Sequence, residues 1–286
     1  MKTNKIKENI GTKIGRWIIR VLLFSWATTI VFPVIWTGYT SLKSNKEFFA
    51  DMWALPTEWH FENYEYAWQT AQFSKYFLNS LFLVLLSVTL TLFISSTISY
   101  VIATYKFRWV KWFEKFFLIV MTIPGVLVLI PQYFMLLKAG LTDRLWVVAV
   151  LIALHAVPVN IIMQTGFMRS VSVALFEAAD MDGASEFQKY FQIMIPSVKS
   201  ALFLTTLTAT LSGWNEYITT FTYIKDETKY TVPVGLSALK TASSYGIEYG
   251  GLFAGLTIAM VPIIIVYAIF QRPLQEGVRL DGGVKG

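Results

Sequence analysis

The residues best placed to do chemistry lie in one polar stretch of an otherwise apolar chain. It reads Phe176-Glu177-Ala178-Ala179-Asp180-Met181-Asp182-Gly183-Ala184-Ser185-Glu186 and runs on to Ile193-Met194-Ile195-Pro196. Glu177-Ala-Ala-Asp-Met favours helix. Asp182-Gly183 signals a turn, because glycine takes positive φ, or lets another backbone come close, at little steric cost. Ser185 followed by Gln188 fits a capping box that opens a second helix, which Pro196 ends. The product is a short helix–turn–helix whose small residues, Ala178, Ala179, Gly183 and Ala184, leave a surface another protein can approach closely. The plainer reading is a solvated loop with ordinary acidic residues. Either way its chemistry is recognition, with no bond made or broken.

Bond-making chemistry finds no footing elsewhere. Cysteine is absent, so there is neither a thiol nucleophile nor a cysteine metal site, and the redox compartment stays open. No Gly-x-x-x-x-Gly-Lys-Ser/Thr phosphate loop occurs, so the chain carries no such site for ATP. The two histidines, His60 and His155, form no His-Glu-x-x-His pattern, and no metal site is expected. No nucleophile–base pair can be argued.

The elements that must carry the polar stretch follow from composition. Apolar residues are 55% of the 286, charged residues only 15%, and Phe, Tyr and Trp number 22, 14 and 10; soluble domains run ~45–50% apolar and ~25% charged. A soluble globule of this size lacks the interior to hide such a surface, so the solvent is lipid, and disorder, collagen and disulfide scaffolds are excluded. The fold class expected is an all-α membrane protein. A spanning helix needs about 20 mostly apolar residues, and six stretches qualify: about 17–40, 80–104, 113–137, 145–165, 199–221 and 251–271. The whole chain, 1–286, reads as one transmembrane domain. The second stretch is rich in hydroxyls (Ser87, Thr89, Thr91, Ser95, Ser96, Thr97, Ser99), which marks it as packed inside the bundle. Pro124, Gly125 and Pro131 predict a kinked or partly unwound third span, and Pro158 and Pro262 the same for the fourth and sixth.

The net charge of +6 does not point to nucleic acid, because the basic residues form no single patch. They sit in short runs between apolar stretches. With the N-terminus inside, 16 of the 24 Lys and Arg fall on cytoplasmic segments, which places both termini in the cytoplasm. The first apolar run is long and no Ala-x-Ala-like site follows it, so an uncleaved helix is expected there rather than a signal peptide. The polar stretch, about 166–198, is then the longest soluble piece on the cytoplasmic face.

These features carry a resemblance. Glu177-Ala178-Ala179, then Gly183, Ile193, Ile195 and Pro196, resembles the EAA loop of ABC importer permeases, with Ile195 where leucine is usual. Residues 179–184, Ala-Asp-Met-Asp-Gly-Ala, are similar to the form seen in carbohydrate-uptake permeases. Trp214-Asn215-Glu216-Tyr217 is similar to a Trp-Asn-Glu-aromatic element of the maltose-type (MalG-like) subunits, and the ending Gly282-Gly283-Val284-Lys285-Gly286 resembles their Gly-Ala-Val-Lys-Gly. The resemblance implies a type I ABC importer permease fold and a subunit of a bacterial ATP-driven importer for a di- or oligosaccharide, working by alternating access in the bacterial cytoplasmic membrane. It implies three kinds of protein partner: a second, MalF-like permease, two ATPase subunits carrying ATP and Mg, and an extracellular solute-binding protein. No cofactor is expected on this chain. Glu177, Ala178, Ala179, Asp182, Gly183, Ile193 and Pro196 would form the coupling element, with Glu177 paired to a basic residue of the ATPase and Gly183 permitting the close turn. Residues 222–250, with Gly235, Gly246, Gly250 and Gly251, stand where maltose-type permeases contact the binding protein. One departure is the absence of a proline shortly before Glu177, where Val173-Ala174-Leu175-Phe176 suggest a more continuous helix entry.

Glu216 is the main acid that falls within a span. A charge at mid-bilayer costs ~2.5–3.5 kcal/mol on insertion scales, so Asn215 and Glu216 are candidates for the translocation path, against an interfacial or cavity-wall role. His155 reads as a packed histidine. Asn160 and Gln164 could hydrogen-bond a polyol or simply pack helices. An ion-coupled secondary transporter is the alternative class, but such proteins need ionisable groups within the membrane, and here the spans offer little beyond Glu216 and His155.

Overall fold

The computed structural model describes residues 10–106, 108–243 and 248–282. Gly246, the closing Gly283-Val284-Lys285-Gly286, and Lys2, Lys5 and Lys7 of the basic N-terminal segment lie outside the described residues. The helices run in order α1 Ile10–Thr40, α2 Asn45–Ala50, α3 Glu62–Glu65, α4 Phe73–Thr104, α5 Val110–Met121, α6 Gly125–Lys138, α7 Leu145–Met168, α8 Val173–Met181, α9 Glu186–Gln188, α10 Ile195–Ser197, α11 Lys199–Trp214, α12 Ile218–Tyr223, α13 Val232–Ser243 and α14 Tyr249–Gly282. No strand occurs among the described residues.

Four helices are long and apolar enough to cross a bilayer: Ile14–Thr40 of α1, all of α4, all of α7, and Tyr249–Gln271 of α14. Two bent pairs bring the number of crossings to 6 if each pair is one span: α5 with α6, bent by 92°, and Glu186–Ser197 with α11, bent by 77°. The first break falls at Thr122–Pro124. Pro124 offers no N–H, pushes Ile123 out of the helical region, and the Thr122 hydroxyl bonds the Ile119 carbonyl at 2.7 Å in competition with the helix. Pro131, Pro158 and Pro262 lie inside helices that continue through them; a single lost ladder bond is not enough to break these spans. The fifth stretch also differs from expectation. The helix stops at Trp214 and resumes at Ile218, because Asn215 Nδ2 donates back to the Leu211 carbonyl at 2.8 Å and Glu216 Oε1 accepts the Thr219 N–H at 2.7 Å. Glu216 thereby takes a backbone N–H that a continuous helix would have paired, and Asn215 adds a second donor to a carbonyl that its own N–H already uses.

Contacts divide the described residues into two compact units, one drawn from 1–70 and 240–258, the other from 71–239 and 259–286. In the first, the apolar side chains of the α1 span are exposed, as on a helix facing lipid. The segment after α1 is held by specific polar contacts. Lys43 is buried with its Nζ on the Asp51 and Met52 carbonyls at 3.0 and 3.2 Å, and Asn63 Nδ2 donates to the Ser41 and Lys43 carbonyls. Ser44 and Glu47 form a capping box on α2, and Glu47 also takes the Thr57 N–H and hydroxyl, so its carboxyl is held down at about 2. Gly250 packs so closely that a Cβ there would lie 2.3 Å from Asn63 Nδ2 and 2.6 Å from the Lys43 carbonyl.

In the second unit α4, α7 and α11 make the core. Leu83, Val148, Ala149 and Ile152 are buried together near one end, and Ile102, Val157 and Ile161 near the other. Hydroxyls of α4 face inward as expected: Ser80, Ser87, Thr91, Ser95, Ser96 and Ser99 are buried. Ser99 Oγ donates to the Ile161 carbonyl at 3.1 Å, and Gln164 Nε2 donates to Ser95 Oγ and Thr205 Oγ1, both at 2.9 Å. The amide of Gln164 therefore staples three helices while its Oε1 is buried without a partner, and Asn160 returns its amide to the Ala156 carbonyl.

Candidate functional site

The polar loop folds as two helical segments joined by a tight turn, and the turn is specified by local bonds. Gly183 has φ +74. The Ala184 N–H reaches the Ala179 carbonyl at 2.9 Å and the Gly183 N–H the Asp180 carbonyl at 3.1 Å, which is the Schellman closure with glycine in the left-handed position. A Cβ on Gly183 would meet nothing within 4 Å, so glycine is required here for its φ and not for a close approach within this chain. Ser185 and Gln188 make the expected reciprocal capping box. Beyond it, the Ile195 N–H bonds the Tyr190 carbonyl five residues back, a π turn just before Pro196. The proline sits within the last helical turn, and the break to α11 falls at Val198.

Glu177, Ala178, Asp182 and Gly183 are exposed, Ala179 is buried, Ile193 is half-buried and Pro196 exposed. Glu177 makes no ion pair among the described residues. The loop also leaves large apolar side chains uncovered: Met181 is 89% exposed and Phe187 76%. Its underside packs Met194, Val198 and Ala201 against Tyr100 and Met168.

A network that sequence reasoning missed fixes this loop to the end of α4. Lys189, its side chain only 11% exposed, places Nζ 2.6 Å from Asp180 Oδ1 and 2.5 Å from Glu186 Oε1, tying the α8 segment to the α9 segment. The other oxygen of Glu186 accepts from the Tyr100 hydroxyl at 3.2 Å and from the Tyr105 hydroxyl, and the Tyr190 hydroxyl meets Ser96 Oγ at 2.6 Å. Hydrogen bonds from Lys189 and the tyrosines pull the Glu186 carboxyl below its ordinary range, and the two carboxylates push Lys189 up. The i,i+3 spacing of Glu186 and Lys189 was a visible signal; the tyrosines carried none. A cleft of about 360 Å³ opens beside this network, walled in part by Phe176, Glu177, Asp180 and Arg169, and Arg169 Nη2 pairs with Glu114 Oε1 at 2.5 Å.

The other predicted residues, Asn215 and Glu216, occupy the break between α11 and α12. Asn215 is exposed and spent on capping α11. Glu216 lines a second cleft of about 230 Å³ together with Ser87, Thr91, His155 and Ser212. His155 is thus exposed at a cavity wall and not packed as expected; its Nε2 lies 3.4 Å from Gln132 Nε2. No group of three or more metal-ligating side chains occurs among the described residues.

With this geometry in view, comparison with known proteins is decisive on one point. The family of binding-protein-dependent transport system inner membrane components matches residues 95–280. The chain belongs to that family. It is 30% identical over 261 residues to the diacetylchitobiose uptake system permease protein NgcG of Streptomyces coelicolor, covering 91% of this chain and 86% of that one. It is 31% identical to the probable ABC transporter permease protein YurM of Bacillus subtilis, covering 96% and 90%. Among solved structures, a chain of a bacterial ABC transporter involved in the import of the acidic polysaccharide alginate superposes with a TM-score of 0.79 at 24% identity, over 94% of this chain and 99% of that one. The fold is that of an ABC importer permease, and the chain is a multi-pass membrane permease subunit, as are the relatives it matches.

Proposed function

We propose that this chain, acting as one permease domain, carries a di- or oligosaccharide across the bacterial cytoplasmic membrane in an ATP-driven importer. The observation that carries the reading is the helix–turn–helix, closed by Gly183, that exposes Glu177, Met181 and the stacked pair Phe187 and Phe191. An apolar surface ringed by charge is what a protein partner covers. The names of the relatives, which include permeases for diacetylchitobiose and for arabinooligosaccharides, support carbohydrate as the cargo. Both termini face the cytoplasm in this reading, on the positive-inside count.

The partners are a second, MalF-like permease, two ATPase subunits that bind ATP and Mg, and an extracellular solute-binding protein received by the outer segments. Glu177, Ala178, Ala179, Asp182, Gly183, Ile193 and Pro196 form the docking element, Glu177 meeting a basic residue of the ATPase. Nucleotide-driven closure of the ATPases displaces this element. The Asp180–Lys189–Glu186 clamp keeps its two helices together, and Tyr100 and Tyr105 pass the displacement to α4. Asn215 and Glu216 lie on the path, Glu216 at its wall. This chain performs no covalent step.

Gentle detergent purification through a tag on this chain tests the reading. Recovery of an ATPase and a second multi-span permease is the expected result; a chain that emerges alone and intact, transporting without response to ATP, would overturn it.

A further inference from the structure

We infer that this chain itself holds a subsite for one neutral, polyhydroxylated sugar ring, in the cleft walled by Ser87, Thr91, His155, Ser212 and Glu216. The inference rests on the carbohydrate-permease reading and adds to it a place and a charge preference.

Position is the first argument. α4 has 32 residues, about 48 Å of helix, and Ser87 and Thr91 stand near its middle; His155 stands near the middle of α7, which runs from Leu145 to Met168. Beside them the backbone leaves the helix at Asn215–Tyr217. Irregular backbone at membrane depth is tolerated where it is buried in protein or lines a water-filled cavity, and Glu216 and Ser212 line one. An acid kept at such a depth is costly unless it is used.

The donor and acceptor pattern is the second. Ser87 Oγ donates to the Val84 carbonyl at 3.1 Å and Thr91 Oγ1 to the Ser87 carbonyl at 2.8 Å, so both hydroxyls have spent their proton and offer lone pairs. Glu216 takes the Thr219 N–H on Oε1, with Oε2 remaining as an acceptor. The Tyr223 hydroxyl lies 2.9 Å from the Leu129 carbonyl and 3.1 Å from Gln132 Oε1, and the Gln132 amide meets His155 Nε2; neutral His155 brings one N–H and one acceptor nitrogen. The wall is therefore rich in acceptors, with one ring N–H and the Ser212 hydroxyl as donors. Sugar hydroxyls donate and accept, and a carboxylate can accept from two neighbouring ones. A uronic acid would instead bring its carboxylate to Glu216. Ile152, Ala156 and Ala209 complete the wall with apolar surface for the C–H face of a ring, and about 230 Å³ suits one ring and not a chain.

The chain contains no cysteine, so a single introduced thiol is the one thiol this chain carries, and its modification is read on this chain after separation from the other subunits. In the purified transporter complex in lipid nanodiscs, Ser212→Cys and separately Ala209→Cys are treated with the neutral reagent methyl methanethiosulfonate, with glucose or glucuronate at matched ionic strength. Glucose at about four times its half-protecting concentration slows modification about fivefold, the one-site relation, at both positions and not in Thr208→Cys, an exposed position outside the cleft wall. Glucuronate gives no protection until Glu216→Gln is added, and then protects as glucose does. Failure of glucose to protect either position, or equal protection by glucuronate with Glu216 intact, overturns the inference. ATPase recovery is read on the same preparation, so an unprotected thiol in an ATP-driven transporter refutes the cleft alone, and a missing ATPase refutes the permease reading.

Discussion

The polar loop and the mid-span cleft share one helix and are built from opposite materials. The loop joins α4 at Tyr100 and Tyr105 through a carboxylate that also grips Lys189, whereas the cleft uses α4 at Ser87 and Thr91, whose hydroxyls are half spent on their own backbone. Charge-assisted bonds make a stiff joint. Neutral hydroxyls at a cavity wall can trade partners with a passing ligand at small cost. Thr91 and Tyr100 are separated by nine residues, about 14 Å of helix, so a displacement forced on the loop arrives at the cleft through a single rigid element. In the proposed reading one region transmits and the other releases.

The largest effect that can break this contrast is at the turn. Gly183→Val puts a β-branched residue at φ +74, where even an unbranched side chain costs roughly 1–2 kcal/mol. Uptake in proteoliposomes is lost while the chain remains membrane-inserted. Gly183→Asn, which tolerates that φ, keeps most of it. Because nothing lies within 4 Å of the missing Cβ, equal loss in both variants would mean that a partner's close approach, and not the backbone, sets the requirement.

Next comes the clamp. Lys189→Met removes both ion pairs and lowers sugar moved per ATP hydrolysed severalfold, with hydrolysis itself retained; the exchange Asp180→Lys with Lys189→Asp restores part of it. Unchanged stoichiometry in Lys189→Met would show that α4 receives its motion elsewhere. A structural control sharpens this. A Cβ at Gly235 would lie 2.2 Å from the Tyr76 ring, so Gly235→Ala overpacks the N-terminal end of α4 by about 1–3 kcal/mol. It lowers the thermal midpoint in detergent and leaves sugar per ATP unchanged.

The smallest effect lies outside both regions. In the segment after α1, His60 Nδ1 meets Glu62 Oε1 at 2.5 Å, and that bond raises His60 above its ordinary 6.5. Glu47 is lowered from 4.5 to about 2, chiefly by the Thr57 hydroxyl. Stability from His60 is complete below pH 6.5 and is lost as pH rises through its raised value; that from Glu47 is complete above 4.5 and is lost as pH falls toward 2. The thermal midpoint should therefore be highest between pH 4.5 and 6.5. His60→Gln flattens the alkaline side by a small amount and leaves uptake per ATP at neutral pH unaltered.

The loop was legible in the sequence because its determinants are neighbours: Gly183 bonds within five residues and Ser185 within three. The membrane class and the inward hydroxyls of α4 were legible for a related reason, composition and run length. The clamp and the cleft were not, because they unite residues far apart in the chain. Glu186 meets Tyr105 across 81 positions, and His155 shares a wall with Ser87 and Glu216. No periodicity records such a meeting. Proline misled in the other direction. Pro158 and Pro262 sit in unbroken helices, whereas the fifth span breaks at Asn215–Tyr217, where two side chains that bond backbone do what a proline was expected to do.

The central claim is that ATP bound by partner subunits drives sugar inward through this chain, with the loop as the joint. ATP-driven uptake by the complete complex in proteoliposomes, with and without an uncoupler, tests it most directly. The account predicts accumulation that requires ATP and the loaded binding protein, survives the uncoupler, and vanishes in Gly183→Val while hydrolysis continues. Uptake that collapses with the uncoupler at constant ATP, or that persists in Gly183→Val, would contradict it.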